Sequence, residues 1–274
     1  MNVPVLDQSN KETGKVELPE QFKEAVRDDV IKRSVLSMNS NSRQKYGAHP
    51  LAGKRHSAKL SKRRNTYRSS YGHGISRVPR KILSRRGKQM YWVGAVASNT
   101  VKGRKAHPPK AEKNWTRKIN KKERRLAIRS ALSAAVIRDQ VLNRGHKVPS
   151  NYPFVADNGM EKLSKTKDVL SALGNLGFGE ELKRVQFKKI RAGKGKSRGR
   201  RYKRKVGPLI VVSDVCELQK SARNIPGVNV EVVHKINTKT LAPNATIGRC
   251  CIFTQRAIER LAKEDLFMGK GGKK

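Results

Sequence analysis

The residues of this chain with the most chemical potential are cations set among glycines. The densest example is Arg191-Ala192-Gly193-Lys194-Gly195-Lys196-Ser197-Arg198-Gly199-Arg200-Arg201-Tyr202-Lys203-Arg204. Around it, residues 183–205 hold 13 basic residues in 23 and no acid. Gly195-Lys196-Ser197 invites comparison with a nucleotide-binding phosphate loop. That loop needs a glycine five residues before Gly195, and position 190 is Ile. It also needs a helix after it, and here a cationic run follows. The chemistry that fits is contact with a phosphodiester backbone. Glycine lets main chain approach closely, and Arg can grip phosphate oxygens bidentately. The candidate contacts are Arg191, Lys194, Lys196, Arg198, Arg200, Arg201, Lys203 and Arg204.

A second basic segment, residues 43–113, holds 20 Lys and Arg but one acid, Glu112. It has four of the six His, seven Gly, and the aromatics Tyr46, Tyr67, Tyr71, Tyr91 and Trp92. Candidate RNA contacts are Lys54, Arg55, Lys62, Arg63, Arg64, Arg68, His73, Arg77, Arg80, Lys81, Arg85, Arg86, Lys102, Arg104, Lys105, His107 and Lys110. Tyr67, Tyr71, Tyr91 and Trp92 could stack on unpaired bases, at roughly 1–3 kcal/mol each. Gly72-His73-Gly74 offers backbone for a narrow site, and the prolines within Gly103-Arg104-Lys105-Ala106-His107-Pro108-Pro109-Lys110 favour extended chain. His73 and His107 have no Cys or acid beside them that would suggest a metal. Gly, Pro and charge interrupt every apolar run here except residues 90–97. The segment therefore reads as a long loop without a core, ordered by a partner. Ordering it costs on the order of 1 kcal/mol per residue.

The whole chain points to the same partner. Its 274 residues carry a formal net charge of +42, and the pI is about 10.9. Such a globule repels itself unless a polyanion neutralises it. The cations spread along the chain instead of lining one amphipathic helix, which favours nucleic acid over a membrane surface. No run approaches the length of a membrane span, and the N-terminus lacks the basic and apolar regions of a secretory signal. Cys216, Cys250 and Cys251 match no zinc spacing, and three cannot make a disulfide framework. They read as buried thiols. No glycine-rich cofactor turn follows an expected strand, so neither a cofactor nor an enzyme activity is expected.

The elements that must carry these segments are legible at both ends. Val3-Pro4-Val5-Leu6 reads as a strand. Leu18-Pro19 opens a helix, with Phe22, Val26, Val30, Ile31, Val35 and Met38 on one stripe, fading at Asn39-Ser40-Asn41-Ser42. Asn120 caps a second helix, Glu123 bonding back to it; the helix runs through Ala-rich turns to Gly145-His146. Phe154-Val155-Ala156 is a strand; Ser164 or Thr166 caps a helix that Gly177 stops. Pro208-Leu209-Ile210-Val211-Val212 reads as a strand buried on both faces, as in a parallel sheet. A short helix at residues 218–223, strands at 228–233 and 249–253, and a helix around Ala257, Ile258 and Leu261 follow. The expected fold class is α/β: a single domain with a mostly parallel sheet flanked by helices. Residues 1–42 and 114–268 form it, with the basic segment 183–205. Residues 43–113 are a long basic loop inserted into it, and 269–274 a flexible basic tail.

Four stretches carry a resemblance. They are Gly72-His73-Gly74-Ile75-Ser76-Arg77-Val78-Pro79-Arg80, Lys102-Gly103-Arg104-Lys105-Ala106-His107-Pro108-Pro109-Lys110, Glu123-Arg124-Arg125-Leu126-Ala127-Ile128-Arg129-Ser130-Ala131-Leu132, and the run from Arg191 through Tyr202. In order and spacing they resemble the large-subunit ribosomal protein L-four family, in its archaeal and eukaryotic form. The resemblance covers essentially the whole chain. It implies a structural constituent of the large ribosomal subunit, cytoplasmic, whose partners are large-subunit rRNA, neighbouring ribosomal proteins and the nascent polypeptide. It further implies that the loop threads into rRNA and that its tip lines the peptide exit tunnel. Tip candidates are Tyr67, Tyr71, Gly72, His73 and Gly74. The sequence departs from the family after Ser57-Ala58, where Lys59-Leu60 replaces an acidic and aromatic pair. The competing reading is a ribosome-assembly or RNA-remodelling factor that leaves the mature particle.

Overall fold

The computed structural model describes residues 1–269. The expected tail at 269–274 lies outside them except for Gly269. In chain order the elements are β1 (Asn2–Leu6), β2 (Glu12–Glu17), α1 (Asp28–Asn41), β3 (Arg80–Arg86), β4 (Gln89–Gly94), α2 (Lys121–Val136), α3 (Arg138–Asn143) and β5 (Val155–Ala156). Then follow α4 (Thr166–Leu173), α5 (Gly179–Gln186), β6 (Lys188–Ile190), β7 (Tyr202–Arg204), β8 (Leu209–Val212), α6 (Leu218–Ser221), β9 (Asn229–Val232), α7 (Thr238–Leu241), β10 (Cys251–Thr254) and α8 (Gln255–Lys263). The chain divides into two units: residues 1–42 with 116 onward, and the inserted unit Arg43–Trp115.

The first unit is the α/β domain expected. Its sheet has the order β2-β1-β5-β10-β8-β9, parallel throughout except for the β1–β2 pair. Every residue of β8 and β10 is buried. β-branched and apolar residues fill both faces of β8, as central parallel strands require. Each such side chain stabilises the fold by roughly 1.5–3 kcal/mol relative to its exposed state. The helices α1, α2 and α7 pack on one another. The alanines of α2 let them approach: Ala127, Ala131, Ala134 and Ala135 are all buried. Ser34 Oγ and Thr238 Oγ1 meet at 2.8 Å between α1 and α7.

Several boundaries differ from expectation for physical reasons. The first helix begins at Asp28, not at Pro19. Pro19 instead opens a single 3₁₀ turn, Glu20–Phe22. Tertiary contacts hold that turn. Phe22 meets Phe253 edge to face at 5.2 Å, and Gln21 Nε2 donates to the Leu261 carbonyl at 2.9 Å. The Arg27 amide then donates to Ser130 Oγ at 2.6 Å, so a side chain of another helix serves the start of α1. Asn120 stands at the N-cap of α2 but makes no capping bond, and Glu123 reaches Arg33 at 3.1 Å instead of returning to the cap. Ile137, with ψ 108°, breaks the long helix into α2 and α3. Lys165, not Ser164 or Thr166, occupies the N-cap of α4. Gly177 takes φ +87° but the chain coils on into α5, so residues 183–186 of the basic stretch are helical.

The inserted unit is not structureless. Its apolar run forms β4, which pairs with β3 as an antiparallel hairpin with an irregularity between Ile82 and Ser84. Its two arms meet where the Ala48 amide donates to the Pro109 carbonyl at 2.8 Å. Gly53, at φ +76°, lies so close to the opposite arm that a Cβ would stand 2.5 Å from the Arg104 nitrogen. Only glycine fits there without moving backbone.

Candidate nucleic-acid interface

Each unit carries a basic hairpin and a candidate nucleic-acid surface of its own. In the α/β unit a buried cluster on α5 lies at the ends of the hairpin. Acids open α5 and Lys183 and Arg184 close it, matching the helix dipole. Glu181 is fully buried there. Arg184 Nη2 donates to its Oε1 at 2.6 Å and Arg184 Nε to its Oε2 at 2.7 Å. His146 Nδ1 lies 2.7 Å from Oε1, and the Lys147 amide donates to Oε2 at 2.9 Å. Burial alone would raise the Glu181 carboxyl; the bonds from Arg184, His146 and the Lys147 amide outweigh it and hold the carboxyl down at about 2. Burial lowers His146 in turn, against the pull of Glu181. Arg184 Nη2 also donates to the Val206 carbonyl at 2.8 Å. Arg184 precedes β6 and Val206 follows β7, so this cluster clasps both ends of the hairpin.

Above the clasp, β6 and β7 pair antiparallel, with Lys188 opposite Arg204, Lys189 opposite Lys203 and Ile190 opposite Tyr202. The tip folds on itself. Arg191 Nε donates to the Arg200 carbonyl at 3.0 Å, and the Arg200 amide to the Gly195 carbonyl at 3.0 Å. Arg191, one of the candidate phosphate contacts, is half-buried and braces the tip. Lys194, Lys196, Arg198, Arg200, Arg201, Lys203 and Arg204 are exposed.

In the inserted unit, Lys54, Arg55, Lys62, Arg63, Arg64, His73, Arg77, Arg85, Arg86, Lys102, Lys105, His107 and Lys110 are exposed. Arg68, Lys81 and Arg104 are half-buried. Arg80 stands apart at 8 % exposure. Its guanidinium donates to Ser76 Oγ at 3.1 Å and lies 5.3 Å from the Trp92 ring centroid. Arg80 therefore holds the foot of the β3–β4 hairpin. Tyr67 is exposed, with the Arg68 and Arg85 guanidinia each 5.3 Å from its ring. Arg77 lies 4.7 Å from the Tyr71 ring, bracketing Gly72, His73 and Gly74. Those two glycines take φ +78° and +64° with open space around them, leaving His73 exposed. Sequence reading passed over Trp115. It stacks on Tyr46 at 4.9 Å, with Arg43 at 4.8 Å and Lys113 at 5.6 Å from its ring. The signal was an aromatic between two cationic runs, just past the segment boundary.

The charge pattern sets these hairpins apart. Among the described residues, every ion pair falls in the α/β unit, and none involves a cation of residues 43–115 or 188–204. Elsewhere the chain does pair its charges, as Arg129 does with Glu24 at 2.7 Å. Among the described residues no cluster of His, Cys, Asp and Glu could hold a metal, and no helix is long and apolar enough to cross a membrane. The three cysteines are free, and burial pushes the Cys251 thiol up to about 12. A neutral thiol is a poor nucleophile. The arrangement can grip phosphates and stack on bases.

Comparison with known proteins places the chain in a family. The model of the ribosomal protein L4/L1 family matches residues 16–264, which include both basic segments. The large ribosomal subunit protein uL4 of Nanoarchaeum equitans is 53% identical over 268 residues, covering 97% of this chain and 100% of that protein. Its counterpart in Methanococcoides burtonii is 41% identical over 265 residues, covering 96% of this chain and 98% of that one. That of Archaeoglobus fulgidus is 39% identical over 264 residues, covering 96% and 99%. With the family model matching residues 16–264, from the edge strand of the sheet to the last helix, the chain belongs to the ribosomal protein L4/L1 family.

Proposed function

We propose that this protein is a structural constituent of the large ribosomal subunit and works by binding its rRNA. The observation that carries the reading is a set of cations in residues 43–115 and 188–204 that, among the described residues, form no ion pair with a carboxylate. Lys and Arg there displace counterions from phosphates and let RNA helices approach one another. The inserted unit enters the RNA as an extended loop, and the basic hairpin of the α/β unit binds RNA by itself. Residues 67–79 face the nascent polypeptide in the exit tunnel, with Tyr67, Tyr71, Gly72, His73 and Gly74 at the tip. Neighbouring ribosomal proteins complete the surroundings. The particle is cytoplasmic, and the protein carries no catalytic step and no cofactor.

Sedimentation tests this reading. Mature large subunits from the source cells are washed at high salt and probed for the chain. A stoichiometric band in the washed particles is expected. Its loss from mature particles, with retention in precursors, points instead to an assembly factor.

A further inference from the structure

The β6–β7 hairpin has two different faces. Side chains alternate along a strand, so Lys188, Ile190, Tyr202 and Arg204 share one face and Lys189 and Lys203 the other. The second face is cationic only. The first carries Ile190 and Tyr202, directly opposite each other and exposed at 54% and 50%. Exposed apolar pairs on a hairpin this basic serve no core. Beside the Tyr202 ring stand Lys188, with Nζ 5.8 Å from its centroid, and Arg201, with its guanidinium carbon at 5.7 Å. Both sit at the outer limit of a cation–π contact. A planar group at stacking distance can replace either, freeing that cation for a phosphate.

We propose that Tyr202, backed by Ile190, is a stacking platform for one unpaired RNA base, with Lys188, Arg201 and Arg204 on the flanking phosphates. Duplex RNA offers no free base face, so the platform selects a bulged or looped nucleotide. The opposite face, Lys189 and Lys203, grips backbone without regard to pairing. Charge decides for RNA over a protein partner: residues 183–205 hold 13 cations and no acid. This site rests on the rRNA-binding reading above and narrows it to an unpaired nucleotide.

The test uses the full chain with a uridine-rich single strand and a duplex of equal length, comparing wild type with Tyr202→Leu, Tyr202→Phe and Lys203→Gln. Base stacking of roughly 1–3 kcal/mol converts to a loss of about 5- to 150-fold for Tyr202→Leu on the single strand. The same variant should change duplex binding less than about twofold and leave the salt slope unaltered, and Tyr202→Phe should bind like wild type. Lys203→Gln should weaken both RNAs alike and lower the slope by roughly 0.7–0.9. Irradiating a 5-iodouridine strand bound to the wild type should crosslink the peptide that holds Tyr202. Equal losses of Tyr202→Leu on both RNAs, or a crosslink that spares that peptide, overturns the platform. So does Tyr202→Leu that binds RNA normally yet fails to enter particles, which would assign this face to a protein. If wild type binds neither RNA, the broader reading fails instead.

Discussion

At the scale of single residues, the chain divides its cations into two kinds. Arg184 and Arg80 are turned inward onto named oxygens, whereas Lys194, Arg198 and Arg86 are exposed and form no ion pair among the described residues. Sequence did not separate Arg80 from Arg86, because what buries Arg80 is Ser76 and the cross-strand neighbourhood of Trp92. Arg184→Ala should cost about 3 kcal/mol in urea unfolding, since it takes the guanidinium from a buried Glu181 carboxylate and leaves it only His146 and the Lys147 amide. The same cluster sets an acid limit. The Glu181 carboxyl is held at about 2 in the fold against 4.5 in the free side chain, so its stabilisation is full above pH 4.5 and lost as pH falls toward 2. His146 is also lowered from 6.5, so the unfolded chain takes up that proton first and stability begins to fall below about pH 6.5. Glu181 contributes of order 3 kcal/mol at neutral pH by this linkage. Glu181→Gln should flatten the unfolding free energy between pH 5 and pH 3, measured by chemical denaturation; an unchanged acid slope would remove Glu181 as its source.

At the scale of elements, periodicity was readable where one residue type met one environment. The buried run of β8 and the stripe of α8 are such cases, and both stand where expected. The polar edge strand β2 was not legible: it reads Glu12-Thr13-Gly14-Lys15-Val16-Glu17, nearly all exposed, and only pairing with β1 makes it a strand. Nor was α7, a single turn that depends on the Asn237–Thr240 capping box. The β3–β4 hairpin hid behind its charge, since Arg80, Lys81, Arg85 and Arg86 leave only Ile82 and Leu83 as apolar residues on β3. The crossing of the inserted arms makes its own prediction. Gly53→Ala forces a side chain into left-handed backbone and against Arg104, costing about 1–2 kcal/mol for the dihedral alone. Hydrogen exchange should then quicken at the Arg104 amide, which donates to the Val96 carbonyl at 3.1 Å, while β8 amides stay protected. Unchanged exchange at Arg104 contradicts the close approach.

At the scale of the whole molecule, a net charge of +42 is sustained by segregation. Residues 43–115 and 188–204 hold most of the excess, 30 cations against one acid, while the ion pairs and the apolar core lie in the rest of the α/β unit. Composition pointed to a polyanion partner; which cations stay out of ion pairs needed the fold. Binding to large-subunit rRNA should weaken steeply with salt. Replacing Lys194, Lys196, Arg198, Arg200, Lys203 and Arg204 with Gln should lower the slope of log affinity against log salt by about 4–5, from roughly 0.7–0.9 per lost phosphate contact. A slope that does not move would place the RNA elsewhere on the surface. The most direct measurement is an RNA crosslink map of the protein in intact large subunits. The account predicts crosslinked peptides concentrated in residues 43–115 and 188–204, with α4 and α6 spared. Crosslinks concentrated on α4 and α6, with those two segments bare, would contradict it.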